Sequence, residues 1–332
     1  MKLKLNRRSF LIQTWLGASA GLISRSLAQT APASPAAAPP ASAGAPAAAP
    51  APVVVEFKPL RRNVGFFTGR GGAIGWLSNS TGLAAVDTQF ADTAARFLAE
   101  MPGRNGRTFD VVVNTHHHGD HTGGNSTFKP ATRKIVGHAN VPELMQAQAA
   151  RGGRAGAPAA APVVPDTTFA ETWRQEIGDE VISAKYIGPA HTRGDIVVHF
   201  ERANVVHMGD LTFNRVYPVI DRNAGGTFKG WLAVVEKVIA DYPADAIYLF
   251  GHGSTTKPQF GSQGTRADLV VFRDYVSALL AHVQKEIAAN KTRDEIITLQ
   301  NLPGFDDFHV TTGSRLPANL GAAYDELTAP RT

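Results

Sequence analysis

The segment Thr115-His116-His117-His118-Gly119-Asp120-His121-Thr122-Gly123-Gly124-Asn125 places four histidines and an aspartate within six consecutive positions. Neutral imidazole and carboxylate are the donors that suit zinc where thiolates are missing, and the chain contains no cysteine. In an extended or tightly turning segment alternate side chains share a side. His116 and His118 can therefore converge on one ion while Asp120 and His121 reach a neighbouring position. His117, between two such donors, should point away and serve a supporting or structural role. Glycines at 119, 123 and 124 relieve the backbone crowding that closely packed ligands impose.

Four donors do not complete the surroundings of two ions, so further histidines or aspartates are expected at later strand ends. His191 lies in Pro189-Ala190-His191-Thr192-Arg193-Gly194-Asp195, Asp210 in Gly209-Asp210, and His252 in Gly251-His252-Gly253. Each sits beside glycine or proline just past an apolar run, where a rigid sheet presents catalytic groups. His138, His199, His207, His282 and His309 have no partner at ligand spacing and read as structural histidines.

Those positions require sheets. Short runs rich in Val, Ile and aromatics, at Phe109–Val113, Lys134–Val136, Val181–Ile187, Ile196–Phe200, Val205–His207 and Ala246–Phe250, read as strands. Helical spacing of apolar residues predicts helices over Ala91–Met101, Lys229–Ala240 and Asp268–Ala289. Leu269, Phe272, Val276, Leu279, Val283 and Ile287 would line one face of the last. It would pack on the body or support a dimer.

The ends of the chain differ from this body. Residues 1–28 carry Lys2, Lys4, Arg7, Arg8 and Arg25 without an acid, then an apolar run from Phe10 to Ile23 and Ser26-Leu27-Ala28 before Gln29. This is the pattern of a cleaved export signal, and Arg7-Arg8-Ser9-Phe10-Leu11 resembles the twin-arginine motif, which places the mature protein in the periplasm. The apolar stretch, interrupted by Gln13 and Thr14, is too short for a comfortable membrane span, so no stable span is expected after cleavage. Residues 29–52 are almost wholly Ala, Pro, Ser and Gly and read as a disordered linker, leaving 53–332 as the catalytic domain. A second such tract, Arg151–Pro162, reads as a solvated insertion or a flap over the site. Without the signal, 28 basic residues face 28 acidic ones. A neutral body lacks the electrostatic footprint of a nucleic-acid partner and suits a small-molecule substrate.

Taken in order, these motifs resemble those of the metallo-β-lactamase superfamily, from about Val64 to Gly253. The matching residues are His116-x-His118-x-Asp120-His121, His191 in Gly-Pro-Ala-His-Thr, Asp210 in Gly-Asp and His252 in Gly-His-Gly. Asp87, after Leu83–Val86, resembles the family's early structural aspartate. The resemblance implies an α+β fold, a four-layer αββα sandwich with two zinc ions at one edge of its sheets. It also implies the ligand sets: His116, His118 and His191 on the first ion, Asp120, His121 and His252 on the second, and Asp210 bridging. A water shared by the pair would then lose its proton near neutral pH and become the nucleophile. Asp120 is the catalytic candidate among side chains, orienting that water and carrying a proton to the departing atom.

The family houses several reactions, so its fold alone names none. The resemblance favours a di-zinc hydrolase of an ester, thioester, lactone or amide-type bond. An aspartate at 210, where well-known β-lactamases of this fold have cysteine or serine, lowers the alternative of β-lactam hydrolysis. Phe213 stands where the quorum-signal lactonases tend to have tyrosine, and the tail shows no clear basic pair of the glyoxalase II kind. A further alternative is an iron persulfide-dioxygenase-like oxidoreductase using His116, His191 and Asp210. It would leave His118, Asp120, His121 and His252 as an unused second set. A non-catalytic metal or partner-binding module is the remaining reading.

Overall fold

Strict alternation along the strands decides the layering. In Leu83–Val86, Ala84 and Val86 belong to one apolar cluster and Leu83 and Ala85 to another; Val111 and Val113 part from Val112 in the same way. Such strands have two buried faces, so something apolar must cover each of them. The computed structural model describes residues 53–152, 161–310 and 316–330. The expected export segment, the linker, and most of the Arg151–Pro162 tract lie outside the described residues.

The first sheet runs β1 (Glu56–Pro59), β2 (Val64–Thr68), β3 (Ile74–Ser78), β4 (Leu83–Val86), β5 (Val111–Val113), β6 (Ile135–His138) and β7 (Thr167–Phe169), paired in that order. It begins as an antiparallel meander and becomes parallel from β4 onward. The chain continues through β8 (Thr172–Ile177), β9 (Glu180–Tyr186), β10 (Ile196–Phe200), β11 (Val205–His207), β12 (Phe213–Asn214), β13 (Ile247–Leu249), β14 (His252–Gly253) and β15 (Gln263–Gly264). The second sheet has the order β15-β13-β11-β10-β9-β8, and β12 pairs with β14 separately.

Phe66, Val86, Val113, Val136, Ile182, Val198 and Phe200 fill the space between the sheets. On the outer face of the first sheet, Phe67, Trp76, Ala85 and Val112 meet Ala94 and Phe97 of α1 (Ala91–Glu100). Beyond it come α2 (Gly119–Thr122), α3 (Asn125–Phe128) and α4 (Val141–Gly152). On the outer face of the second sheet, Val197, Val206 and Tyr248 pack against α5 (Phe228–Asp241), α6 (Arg266–Ala288) and α8 (Leu316–Thr328), with α7 (Arg293–Ile296) between the last two in the chain. This is the four-layer αββα arrangement.

The predicted strands are present, with several ends moved by a residue or two in either direction. Phe109 keeps only an isolated bridge to Thr132, and beside it the Asp110 carboxylate accepts the Leu83 N–H. In α6, Leu269, Phe272, Val276, Leu279 and Val283 are buried in the core and Ile287 packs at its edge. The helix starts where Thr265 and Asp268 form a reciprocal capping box. Among the described residues no helix is long and apolar enough to cross a membrane.

Candidate metal centre

The seven predicted donors meet at one edge of the two sheets. His116 lies just past β5, whose ladder is prolonged by the Asn114 N–H donating to Val136. His118 is the residue before α2, and Asp120 and His121 sit on that short helix rather than on extended chain. The helical turn brings them round toward the second sheet. His191 follows β9, Asp210 lies in a 3-10 turn after β11, and His252 opens β14.

Two groups form. His118 Nδ1 lies 3.2 Å from His116 Nε2 and 2.8 Å from His191 Nε2, and Asp210 Oδ2 stands 3.9 and 3.5 Å from the same His116 and His191 nitrogens. On the other side, Asp120 Oδ2 is 3.0 Å from His252 Nε2 and 3.7 Å from His121 Nε2. Asp210 faces both groups, with its Oδ1 3.0 Å from His121 Nε2 and its Oδ2 3.5 Å from His252 Nε2.

The far nitrogen of four of the rings fixes which edge carries the lone pair. Thr115 gives its hydroxyl proton to Asp87 (2.7 Å), so the His116 Nδ1–H donates to the Thr115 oxygen (3.1 Å). The His121 Nδ1–H donates to Asp87 (2.7 Å), and the His191 Nδ1–H to the Val219 carbonyl (2.7 Å). The His118 Nε2–H donates to Asp221 (3.0 Å). His116, His118 and His191 therefore aim lone pairs at one another with no proton to share, and His121 turns its Nε2 toward Asp210. His121 Nε2 and Asp210 Oδ1 are likewise buried without a hydrogen bond. Lone pairs and carboxylate oxygens converging in this way fit cations, and both groups have metal-ligand spacing.

The electrostatics agree. Burial, reinforced by the surrounding histidines, pushes His116 well below the usual imidazole range and His191 down to about 4, so both are neutral as ligands must be. Burial opposes the charged forms of His121 and His252 too. Asp210 and Asp120 outweigh it, raising His121 well above its ordinary value and His252 to about 9. Burial likewise disfavours charge on Asp210 and Asp120, yet the facing histidines hold both carboxyls well below the carboxylate range. Cations would replace the protons on that second group.

Several supporting residues were not legible in the sequence. Asp221 is 103 positions from the histidine it holds, and only its place in the fold reveals the partnership. Gly72 lies against His121 so closely that a Cβ there would overlap the imidazole. Its backbone cannot retreat, because its N–H donates to the Asp120 carbonyl (3.1 Å) and its own carbonyl accepts from Gln89 (2.6 Å). Gly72→Ala is therefore expected to destabilise the fold by about 1–3 kcal/mol and to displace His121. Parallel thermal melts and bound-metal measurements check this; a variant with wild-type stability and metal content would refute the packing argument.

Of the other histidines, His138 stacks on Tyr186 and its Nε2–H donates to Ala170, and His207 donates to Ala73, as structural residues do. His309 bridges to Val216, and residues 311–315 beyond it lie outside the described residues. His117 is buried outside both groups, and burial with the adjacent His118 lowers it to about 3.

A small cleft of about 170 Å³ opens over the donors, walled by His118, Asp120, His191, Asp210, His252 and by Phe213 and Val219. Phe213 stacks on His252 with ring centroids 5.3 Å apart, and Val219, 44% exposed, offers an apolar rim.

The profile of the metallo-beta-lactamase superfamily matches residues 71–252, more than half of the chain. The chain belongs to this superfamily, whose members are mostly hydrolases. It is 30% identical over 179 residues to a hydroxyacylglutathione hydrolase of Cereibacter sphaeroides, covering 52% of this chain and 58% of that one. It is 27% identical over 147 residues to the 2,4-dinitroanisole O-demethylase subunit alpha of a Nocardioides species, covering 41% and 40%. This chain thus spans less than two thirds of either relative's length. Among solved structures, the sec-alkylsulfatase Pisa1 from Pseudomonas shares the fold at a TM-score of 0.62 and 16% identity, covering 83% of this chain and 50% of that one. A metallo-beta-lactamase from Pontibacter korlensis does so at 0.52 and 19%, covering 68% and 99%.

Proposed function

We propose that this protein is a di-zinc hydrolase that cleaves an ester, thioester, lactone or amide-type bond in a small molecule. His116, His118 and His191 would hold one ion and Asp120, His121 and His252 the other, with Asp210 between them. The observation that carries this reading is the position of Asp210, whose two oxygens face two separate groups of donors. Similarity to an enzyme named as a hydrolase of hydroxyacylglutathione supports an acyl-type substrate.

Two zinc ions bound there would supply an acidified water as nucleophile and an electrophilic face for the oxygen of the bond being cut. The chain's own residues do the rest. Asp120 remains a carboxylate beside His121 and His252, placed at the cleft to accept a proton from the attacking water and to pass one to the departing atom. Phe213 and Val219 receive the apolar part of the substrate.

Metal analysis of the purified protein is expected to give close to two zinc ions per chain, and chelation to abolish hydrolysis in a panel of acyl thioester, homoserine lactone, bis-aryl phosphate and cephalosporin. Turnover of the cephalosporin alone would move the reading to a β-lactamase. A single iron with oxygen consumption would replace it with an oxidoreductase built on His116, His191 and Asp210. Hydrolysis indifferent to chelation would reject the metal chemistry altogether. Asp120→Asn should lower kcat by about 10²–10⁴-fold; full turnover with both ions retained would remove its assigned role.

A further inference from the structure

We infer that His117, the outer edge of His118 and Asp221 form a third, weaker zinc position that competes with the main pair for His118. Asp221 Oδ2 lies 3.0 Å from His118 Nε2 and 3.6 Å from His117 Nε2, and all three donor atoms fall within 4.8 Å of one another. Zinc bonded at about 2.0–2.1 Å in tetrahedral geometry holds its donors about 3.3 Å apart, between those two separations. The second Asp221 oxygen accepts the Ala224 N–H (3.0 Å), which fixes the carboxylate in place.

His117 supplies the independent observation. Its ring is fully buried, yet neither nitrogen has a hydrogen-bond partner. An imidazole buried in that state leaves a polar atom unsatisfied, and a cation at Nε2 satisfies it. The main centre makes no use of this side chain, whereas Asp221 is partly exposed and opens the position to solvent. Two imidazoles and a carboxylate leave a fourth place for water, as is usual for zinc that is not purely structural.

The shared residue makes the two uses of His118 exclusive. A neutral imidazole has one N–H and one lone pair. With the proton on Nε2, donated to Asp221, the Nδ1 lone pair faces His116, His191 and Asp210. Zinc at the third position takes the Nε2 lone pair, and the proton passes through solvent to Nδ1. There it blocks the edge that faced the first group, which keeps His116, His191 and Asp210 but loses His118. Excess zinc therefore acts against the centre that stoichiometric zinc completes. The competition rests on the reading that His118 serves the first ion.

The test is a zinc titration of the full protein, with bound metal counted at equilibrium and the His118 ring followed by nitrogen NMR. The wild type should bind two ions tightly and a third weakly. As the third fills, the His118 proton should move to Nδ1 and hydrolysis should fall. His117→Phe, which keeps the ring volume, and Asp221→Asn should each bind one ion fewer, and excess zinc should no longer inhibit His117→Phe. A wild type that saturates at two ions, or a weak ion that persists in both variants, overturns the inference while leaving the di-zinc reading intact. A wild type without a tight pair sinks that reading separately. In that case an unchanged ion count in His117→Phe overturns the third position, and a count lower by one supports it.

Discussion

Asp210→Ala is expected to cost about 10³-fold or more in kcat/KM and to leave the protein short of metal. Metal-held charge stabilisation contributes several kcal/mol to hydrolytic transition states, and each 1.36 kcal/mol is a factor of ten. Asp210 is the carboxylate common to the two donor groups, so its loss weakens both. It is also buried, and the turn that carries it is tightly confined. Gly209 has φ +50° with Thr115 packed against it, and a Cβ on Gly251 would overlap the carboxylate itself. No neighbouring side chain can move in to replace it. Asp210→Asn keeps the shape but offers only one oxygen, and its amide protons would meet ring lone pairs. Metal content, kcat/KM and a thermal melt on both variants check this; an Asn variant with two ions and wild-type turnover would disprove the bridging role.

Asp87→Ala should be the most damaging change outside the donor set. Asp87 is fully buried and accepts the Thr115 backbone N–H, the Thr115 hydroxyl and the His121 Nδ1–H, each at 2.7 Å. Its own N–H donates to Val113, which ties the end of β4 to β5. Alanine would strand three donors away from water, at a combined cost of about 3–5 kcal/mol. It would also sit at φ +68°, a conformation that aspartate and asparagine tolerate better. His121 and, through Thr115, His116 would lose the contacts that aim their lone pairs, so zinc affinity should fall about 10–100-fold. Denaturant unfolding of the metal-free protein measures the first effect and competition with a zinc chelator the second. Asp87→Asn, which keeps one acceptor oxygen and suits the backbone, should lose less of both. Wild-type stability in the alanine variant would show that this hydrogen-bond cluster is not what holds the edge together.

The contrast between Asp87 and Asp221 shows where the sequence was informative. Asp87 follows a readable strand and matches an ordered motif, so its place beside the site was foreseeable. Asp221 lies in a loop with no periodicity, and its meeting with His118 depends on how the chain returns to the Ala190–Arg193 segment: its N–H donates to the His191 carbonyl at 3.0 Å. Asp120 and His121 were legible as candidate donors, but the short helix beneath them was not, since four residues cannot display a helical period.

The order of residue types along the chain determined the candidate donors, the absence of thiolates among them and the sheets that carry them, because ligand motifs and alternation are local and survive in one dimension. Only the tertiary structure decided that Asp210 faces both groups, that His117 looks toward Asp221, and which nitrogen of each ring is free. Those properties depend on hydrogen-bond partners up to 103 residues away, whose approach is set by packing two sheets face to face rather than by neighbours in the chain.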